Sequence, residues 1–273
     1  MLVYNINMVD NSAETVRVYT KINEKIGNSN VPFLNSGYHP AFEELNNTAW
    51  KHQISLYKKC LEGLDLNNNS ILEVGCGRGG GSKWISDNYN VKMYGCDITP
   101  VHIEICKLNE KENLNYKFGK AENLPYTPES MDILISIQSI QAFDDLGSFF
   151  QKAYNTIKHK GRIILMDEYG ISDSAKNSGV KDIDSIRSLV DLWFKDVEVE
   201  IITNNVKQAC IEDSDLIEGY IEDIEVSEFM SQVSAEMSKK YEQDRGYFKL
   251  TATKISPDAG APDNWSTVYE KFL

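Results

Sequence analysis

The stretch Glu73-Val74-Gly75-Cys76-Gly77-Arg78-Gly79-Gly80-Gly81 follows a short apolar run, and a second run, Met93-Tyr94-Gly95-Cys96, ends at Asp97. Together these constrain the chain more than any other feature. A strand that ends in a glycine-rich turn brings bare backbone up to a ligand. An acidic residue closing the next strand offers two acceptor oxygens to a ribose diol. The combination predicts an α/β chain with an adenosine pocket beside the glycine turn.

The rest of the chain reads as alternating elements. Short apolar runs at 71–74, 91–96, 116–118, 131–137 and 162–166 suit the strands of a covered parallel sheet. Helical stretches are expected near 79–88, 100–111, 144–159 and 182–194, with His159-Lys160-Gly161 closing the third of these at a glycine. Residues 1–66 read as a helical segment ahead of the sheet. Asn11 and Glu14 make a capping pair there, and Val16, Tyr19, Ile22 and Ile26 fall on one face. A break at 27–38 precedes a second helix carrying Phe42, Leu45, Ala49, Ile54, Tyr57 and Leu61, which ends before the Asn67-Asn68-Asn69-Ser70 turn. The expected organisation is a cap segment over 1–66, a core over 67–255 with a helical insertion near 212–245, and a tail over 256–273. Ile217, Ile221, Ile224, Met230, Val233, Met237 and Tyr241 form an apolar stripe in that insertion, read either as core packing or as a lid. The acidic run over 212–228 is expected to be a solvated face without chemistry.

A formal net charge of −13 argues against nucleic acid and anionic membrane surfaces as partners, because both require a basic footprint. No apolar run approaches the length of a bilayer span, and the N-terminus lacks a basic region ahead of an apolar stretch, so a cytoplasmic protein is expected. Cys60, Cys76, Cys96, Cys106 and Cys210 are odd in number and show no C-x-x-C spacing. They read as small core residues, and no metal site is expected.

Gly75, Gly77 and Gly80 also satisfy G-x-G-x-x-G, the loop of dinucleotide-binding folds, which receives a pyrophosphate. Glu73 would repel a pyrophosphate and can help hold an ammonium. Its charge favours S-adenosylmethionine (SAM), which carries a zwitterionic amino acid and a sulfonium. ILEVGCGRGGGSKWI followed by MYGCDI resembles the strand, E-x-G-x-G-x-G, helix, strand, acidic residue pattern of the class I SAM-dependent methyltransferases. Within that superfamily FLNSGYH, EVGCGRGGGSKWI and AENLP are most similar to small-molecule methyltransferases of lipid and polyketide pathways, such as the phthiotriol dimycocerosate methyltransferases. They more distantly resemble sugar O-methyltransferases of the rebeccamycin type. The resemblance spans about residues 33–170.

The resemblance implies a Rossmann-like, seven-stranded, mostly parallel sheet with helices on both faces, plus N-terminal helices and a helical cap. The sheet would end in an antiparallel hairpin at 197–203 and 247–254. Gly75 and Gly77 are expected to shape the turn under the methionine part of SAM, and Gly79, Gly80 and Gly81 to serve close packing at the helix start. Asp97 is expected on the ribose hydroxyls. Its alternative role as a helix cap is assigned instead to Thr99 ahead of Pro100, which with His102 leaves the carboxylate free. Ile98 is placed against adenine, and Ala121 and Glu122 against its edge. Tyr38 is expected near the methionine moiety by resemblance and Gln138 at the cofactor, while His39 is either part of that segment or a helix-start residue ahead of Pro40.

The chemistry departs from the family pattern at one point. Many relatives place a histidine in a segment reading roughly E-S-L-H-H after the fourth strand, whereas this chain has Gln138-Ser139-Ile140-Gln141-Ala142. Gln141 stands where the histidine would be, and an amide orients rather than removes a proton. Asp167 matches the acidic partner of that histidine, followed by Glu168; it is read either as a base raised in pKa by burial or as a structural acceptor. The expected activity is SAM-dependent methyl transfer to a small, fairly apolar secondary metabolite, polyketide or lipid-like, with O-methylation favoured over C-methylation and S-adenosylhomocysteine as product. A non-methylating cyclisation or rearrangement and a SAM-binding partner subunit are the alternatives. A homodimer is left open.

Overall fold

The computed structural model describes residues 11–27, 29–41, 48–177 and 180–255. Phe42 and Leu45 of the expected second helix, the Asn11 side chain of the expected capping pair and the tail over 256–273 lie outside the described residues. Helix α1 (Asn11–Ile26) and helix α2 (Lys51–Leu61) precede strand β1 (Ser70–Val74). The core then alternates: α3 (Gly80–Asn88), β2 (Lys92–Asp97), α4 (Pro100–Lys107), β3 (Leu114–Phe118), β4 (Met131–Ile137), α5 (Leu146–Thr156) and β5 (Ile157–Gly170). It closes with α6 (Asp173–Asn177), α7 (Ile183–Val190), β6 (Phe194–Ile201), α8 (Thr203–Leu216), α9 (Ile224–Gln243) and β7 (Arg245–Lys254).

The seven strands form one sheet in the order β3-β2-β1-β4-β5-β7-β6. All neighbours are parallel except β7, which runs antiparallel to both β5 and β6. Side chains alternate across the pleat, so each strand feeds two cores. Ile71, Ile133, Ile135 and Ile164 enter a core shared with α2, α3, α8 and α9, whereas Leu72, Leu134, Ile163 and Leu165 enter one shared with α5 and α7. Strand order reverses at β1 and β4, and in open α/β sheets the crevice beyond the strand ends at such a reversal is where ligands bind. Gly75, Asp97 and Gln138 all stand at that edge.

Several boundaries differ from the sequence reading. The helix expected to run to His159 stops at Thr156, because fully buried Ile157 already pairs with Met131 in β5. Gly161 is therefore not a helix end. A Cβ there would stand 2.7 Å from the Asp132 carbonyl oxygen, so the glycine serves close strand contact at the irregularity between Met131 and Ile133. Strand β6 begins at Phe194 rather than Val197, anchored by the buried Phe194 ring opposite Lys254, and Thr203 belongs to α8. The acidic run is not uniformly solvated: Asp213 is 2% exposed and accepts hydrogen bonds within the cap. The apolar stripe divides between both readings. Ile217, Ile221 and Met230 are core residues, Val233 and Met237 line a cavity, and Ile224 is exposed.

The tightest helix contact is at Gly81, where an added Cβ would fall 1.8 Å from the Tyr57 ring. Gly81→Ala should destabilise the fold by about 1–3 kcal/mol through overpacking, read as a lower denaturation midpoint in urea with an unchanged slope.

Candidate active site

The glycine turn is docked on β2 by its own backbone: the N–H groups of Gly75 and Cys76 both donate to the Cys96 carbonyl, at 2.8 and 3.1 Å. Gly75 and Gly77 have φ of 77° and 52°, the left-handed region that glycine enters without penalty. At Gly77 an added Cβ would find Leu34 Cδ1 alone, 3.9 Å away, so this backbone faces a cavity. Gly80 and Gly81 instead pack against Pro32 and Tyr57.

Asp97 is engaged, not free. Its Oδ2 accepts from Gly77 N–H at 2.9 Å, and its Oδ1 accepts from Thr99 N–H at 2.8 Å and lies 3.2 Å from His102 Nδ1. The expected Thr99 cap does not form: its hydroxyl is buried without a partner among the described residues, and the Asp97 carboxylate satisfies the backbone of the α4 start instead. Three of about four acceptor positions on Asp97 are used, which leaves room on Oδ2 for one further donor. Arg78 Nε, Thr99 Oγ1 and His102 Nε2 are buried polar atoms of cavity-lining residues that lack partners among the described residues. Unsatisfied groups of this kind are rare in native structures and fit a polar ligand. Sequence reasoning used His102 only as a capping residue; its proximity to the cavity is set by the α4 packing.

Ile98, Ala121 and Glu122 line the cavity. Glu122 Oε1 also accepts from the N–H groups of Asp144 and Asp145, at 2.7 and 3.2 Å, and so fixes the entry to α5. Asp144 in turn accepts from Ser12 N–H at 2.7 Å, which lays α1 over the cavity as a roof.

Glu73 is placed differently from the expectation. It is 1% exposed and does not line the cavity; Oε1 accepts from the Tyr57 hydroxyl at 2.6 Å and Oε2 from the Ser82 hydroxyl. Strand alternation turns it with Ile71 toward α2 and α3, behind the turn. Burial pushes its carboxyl up to about 7, with the charge of Asp97 adding to the rise and the two hydroxyls opposing it. Tyr38 also misses the cavity. It packs in the helical core with the Lys59 ammonium 6.0 Å from its ring centre, and the strap residues Leu34, Asn35 and Ser36 take the wall position assigned to it. His39 faces α8 rather than a ligand cavity.

A second, larger cavity of about 320 Å³ adjoins the first, of about 90 Å³, and they share Leu34, Asn35, Gln138, Ser139, Ala142 and Phe143. Its walls are mainly apolar, with Phe229, Met230, Val233 and Met237 from α9. Gln138, with φ of 52°, stands at the junction: Oε1 accepts from Ser36 N–H at 2.8 Å, and Nε2 donates to Ser36 Oγ at 3.0 Å. The clamp ties the strap to the end of β4.

Asp167 and Gln141 both line the larger cavity. Asp167 is 1% exposed and accepts from the N–H groups of Ser139, Ile140 and Glu168, each at 2.7 Å. Burial and the neighbouring Glu168 push its carboxyl up to about 7, while the three amides pull the other way. Gln141 Nε2 donates to the Glu168 carbonyl at 2.8 Å. Glu168, which the sequence left secondary, is the hub: it accepts from Tyr241 Oη at 3.0 Å, pairs with Arg245 and lies 3.4 Å from Gln138 Nε2.

The strand order, the antiparallel β7, the glycine turn and the acidic end of β2 define a Rossmann-like methyltransferase fold. Residues 72–165 match the family model described as a methyltransferase domain. Among curated proteins it is 28% identical over 156 residues to a phthiotriol/phenolphthiotriol dimycocerosates methyltransferase of Mycobacterium leprae, covering 55% of this chain and 58% of the relative. It is 26% identical over 161 residues to a fatty-acid O-methyltransferase of Mycolicibacterium smegmatis, covering 55% and 57%. The chain thus matches little more than half the length of these relatives. Similar solved structures include a Haemonchus contortus phosphoethanolamine N-methyltransferase 2 in complex with S-adenosylhomocysteine, at TM-score 0.69 and 17% identity over 93% of this chain and 61% of that one. Another is the 4+2 cyclase SpnF, at TM-score 0.67 and 15% identity over 89% and 94%. Among the described residues no helix is long and apolar enough to cross a membrane.

The buried Glu73 gives a pH signature. Between the ordinary 4.5 and about 7 the folded chain retains a proton that the unfolded chain releases, so stability falls as pH rises through this window. Glu73→Gln should flatten that slope in denaturation curves taken across the window, without abolishing it, because Asp167 titrates in the same range.

Proposed function

We propose that this chain is a SAM-dependent methyltransferase acting on a small, fairly apolar molecule, with O-methylation favoured. The observation that carries this is the pairing of two joined cavities: a smaller one lined by the glycine turn, Asp97 and Ala121–Glu122, and a larger, mainly apolar one that meets it at Gln138 and Ser139. The first suits an adenosine carrier with a zwitterionic tail and the second an apolar acceptor. When bound, SAM supplies an electrophilic methyl group, and the acceptor must be held in line with it. Lipid-like acceptors are supported by the names of the curated relatives.

In this reading Gly77 exposes backbone to the carrier, Asp97 Oδ2 takes one ribose hydroxyl, Ile98 packs on adenine and Glu122 reads its edge. Glu73 and Tyr38 act from behind, by holding the turn and the helical core. Gln141 orients the acceptor oxygen. Asp167 holds the Gln138–Gln141 turn through the amides of Ser139 and Ile140, and its carboxyl, raised to about 7 and lining the larger cavity, is the candidate base, while Glu168 is paired with Arg245. An acceptor whose hydroxyl is already acidic, such as an enol, phenol or carboxylic acid, needs positioning and little proton removal. Gln141, at the position where many relatives carry a histidine, favours one second reading, a cyclisation that binds SAM without consuming it.

Asp97→Ala should weaken S-adenosylhomocysteine binding by about 1–3 kcal/mol in calorimetry, the usual loss for charge-assisted hydrogen bonds. Tight NAD binding without SAM binding would reject the assignment. With a panel of phenols, enols and long-chain carboxylic acids, S-adenosylhomocysteine should form in step with product. Gln141→Ala should lower kcat about 10–100-fold with KM little changed, the pattern of lost orientation. Product formed from the acceptor with SAM unconsumed would replace methyl transfer by cyclisation.

A further inference from the structure

We propose that His39, His52 and Glu212 form a zinc site that fastens the strap over 29–41 onto the cap helices. It lies outside both cavities and does not depend on the proposed activity. His39 belongs to the strap, His52 to the first turn of α2 and Glu212 to α8, and one ligand atom from each lies within 4.8 Å of the others. His39 Nε2 is 3.1 Å from Glu212 Oε1, and His52 Nε2 is 3.1 Å from Glu212 Oε2. Neighbouring ligands around a tetrahedral zinc with bonds of about 2.0–2.1 Å stand roughly 3.3 Å apart, close to the distance at which each histidine meets one Glu212 oxygen.

The second observation concerns which nitrogen of His52 is available. Asp213, 2% exposed, places Oδ1 2.6 Å from His52 Nδ1 while Oδ2 accepts from Gln53 Nε2 at 2.6 Å. A carboxylate only accepts, so Nδ1 donates to Asp213, and Nε2 is the nitrogen turned toward Glu212. A cation between Nε2 and the Glu212 carboxylate would take both as ligands. A carboxylate that orients a histidine through its far nitrogen is the usual support of a metal-bound imidazole, and it gives the buried Asp213 a role. Two imidazoles and one carboxylate suit zinc and leave a position open to solvent, since His39 and Glu212 are each 29% exposed. Lys51, whose Nζ lies 3.9 Å from Glu212 Oε2, and Gln208, which donates to Oε1 at 3.1 Å, are the donors the ion must displace. His39 is already tied to α8 through its backbone: its N–H donates to the Asn205 carbonyl at 3.1 Å, and its carbonyl accepts from Asn205 Nδ2 at 2.8 Å. Zinc would add a side-chain link to that tie, and Leu34–Ser36 of the same strap wall both cavities.

The test uses the full chain freed of metal by a chelator and titrated with zinc against a chromophoric competitor. One zinc per chain is expected, cobalt should give the visible absorption of a four-coordinate ion, and hydrogen exchange over 29–41 should slow on metal addition. His39→Ala and Glu212→Gln, both at partly exposed positions, should each weaken zinc at least 100-fold, and Asp213→Asn about 10–100-fold. Lys51→Met should tighten it. Failure of the wild-type chain to take up stoichiometric zinc at micromolar free metal would overturn the proposal. Unchanged zinc affinity in both His39→Ala and Glu212→Gln would overturn it as well.

Discussion

A carboxylate with almost no access to water holds this structure at its centre. Glu73, at the end of β1, accepts one hydroxyl from Tyr57 of α2 and another from Ser82 of α3. Removing a carboxylate from water is costly unless its oxygens find donors, so the strand and both helices are fixed relative to one another. That fixation sets the height of the turn over 75–81. The Tyr57 ring occupies the space a side chain at Gly81 would fill, and the strap crosses above through the bond from Gly80 N–H to the Pro32 carbonyl at 3.2 Å.

The opposite wall rests on a comparable device. Asp167 gathers three amides, two of them from the turn that follows β4, and so holds Gln138 in a left-handed conformation that a non-glycine residue adopts at a cost. In that conformation the Gln138 amide reaches the strap and meets both the backbone and the hydroxyl of Ser36. The place where the two cavities join is thereby built from groups whose hydrogen bonds are already made. Little reorganisation is needed when a ligand arrives, which is the condition under which orientation assists a displacement reaction.

The amino-acid sequence alone determined the order of strands and helices, the crevice at the glycine turn, and Gly77, Asp97, Ile98, Ala121 and Glu122 as its walls. The strands, the glycine turn and Asp97 are local features, because period-two alternation, left-handed turn positions and the residue that closes a strand act over a few neighbours, whereas Ile98, Ala121 and Glu122 follow from the resemblance to the methyltransferases. The tertiary structure decided which way Glu73 points, that Leu34 to Ser36 rather than Tyr38 form the wall, that Asp97 rather than Thr99 satisfies the α4 start, and that Asp213 is buried in an otherwise solvated acidic run. Each depends on partners far along the chain. Ser36 meets Gln138 across 102 positions and His52 meets Asp213 across 161. Residue pattern identifies the face a side chain occupies, but which distant group satisfies its hydrogen bonds is settled only when the helices pack over the sheet and exclude water from the polar atoms between them.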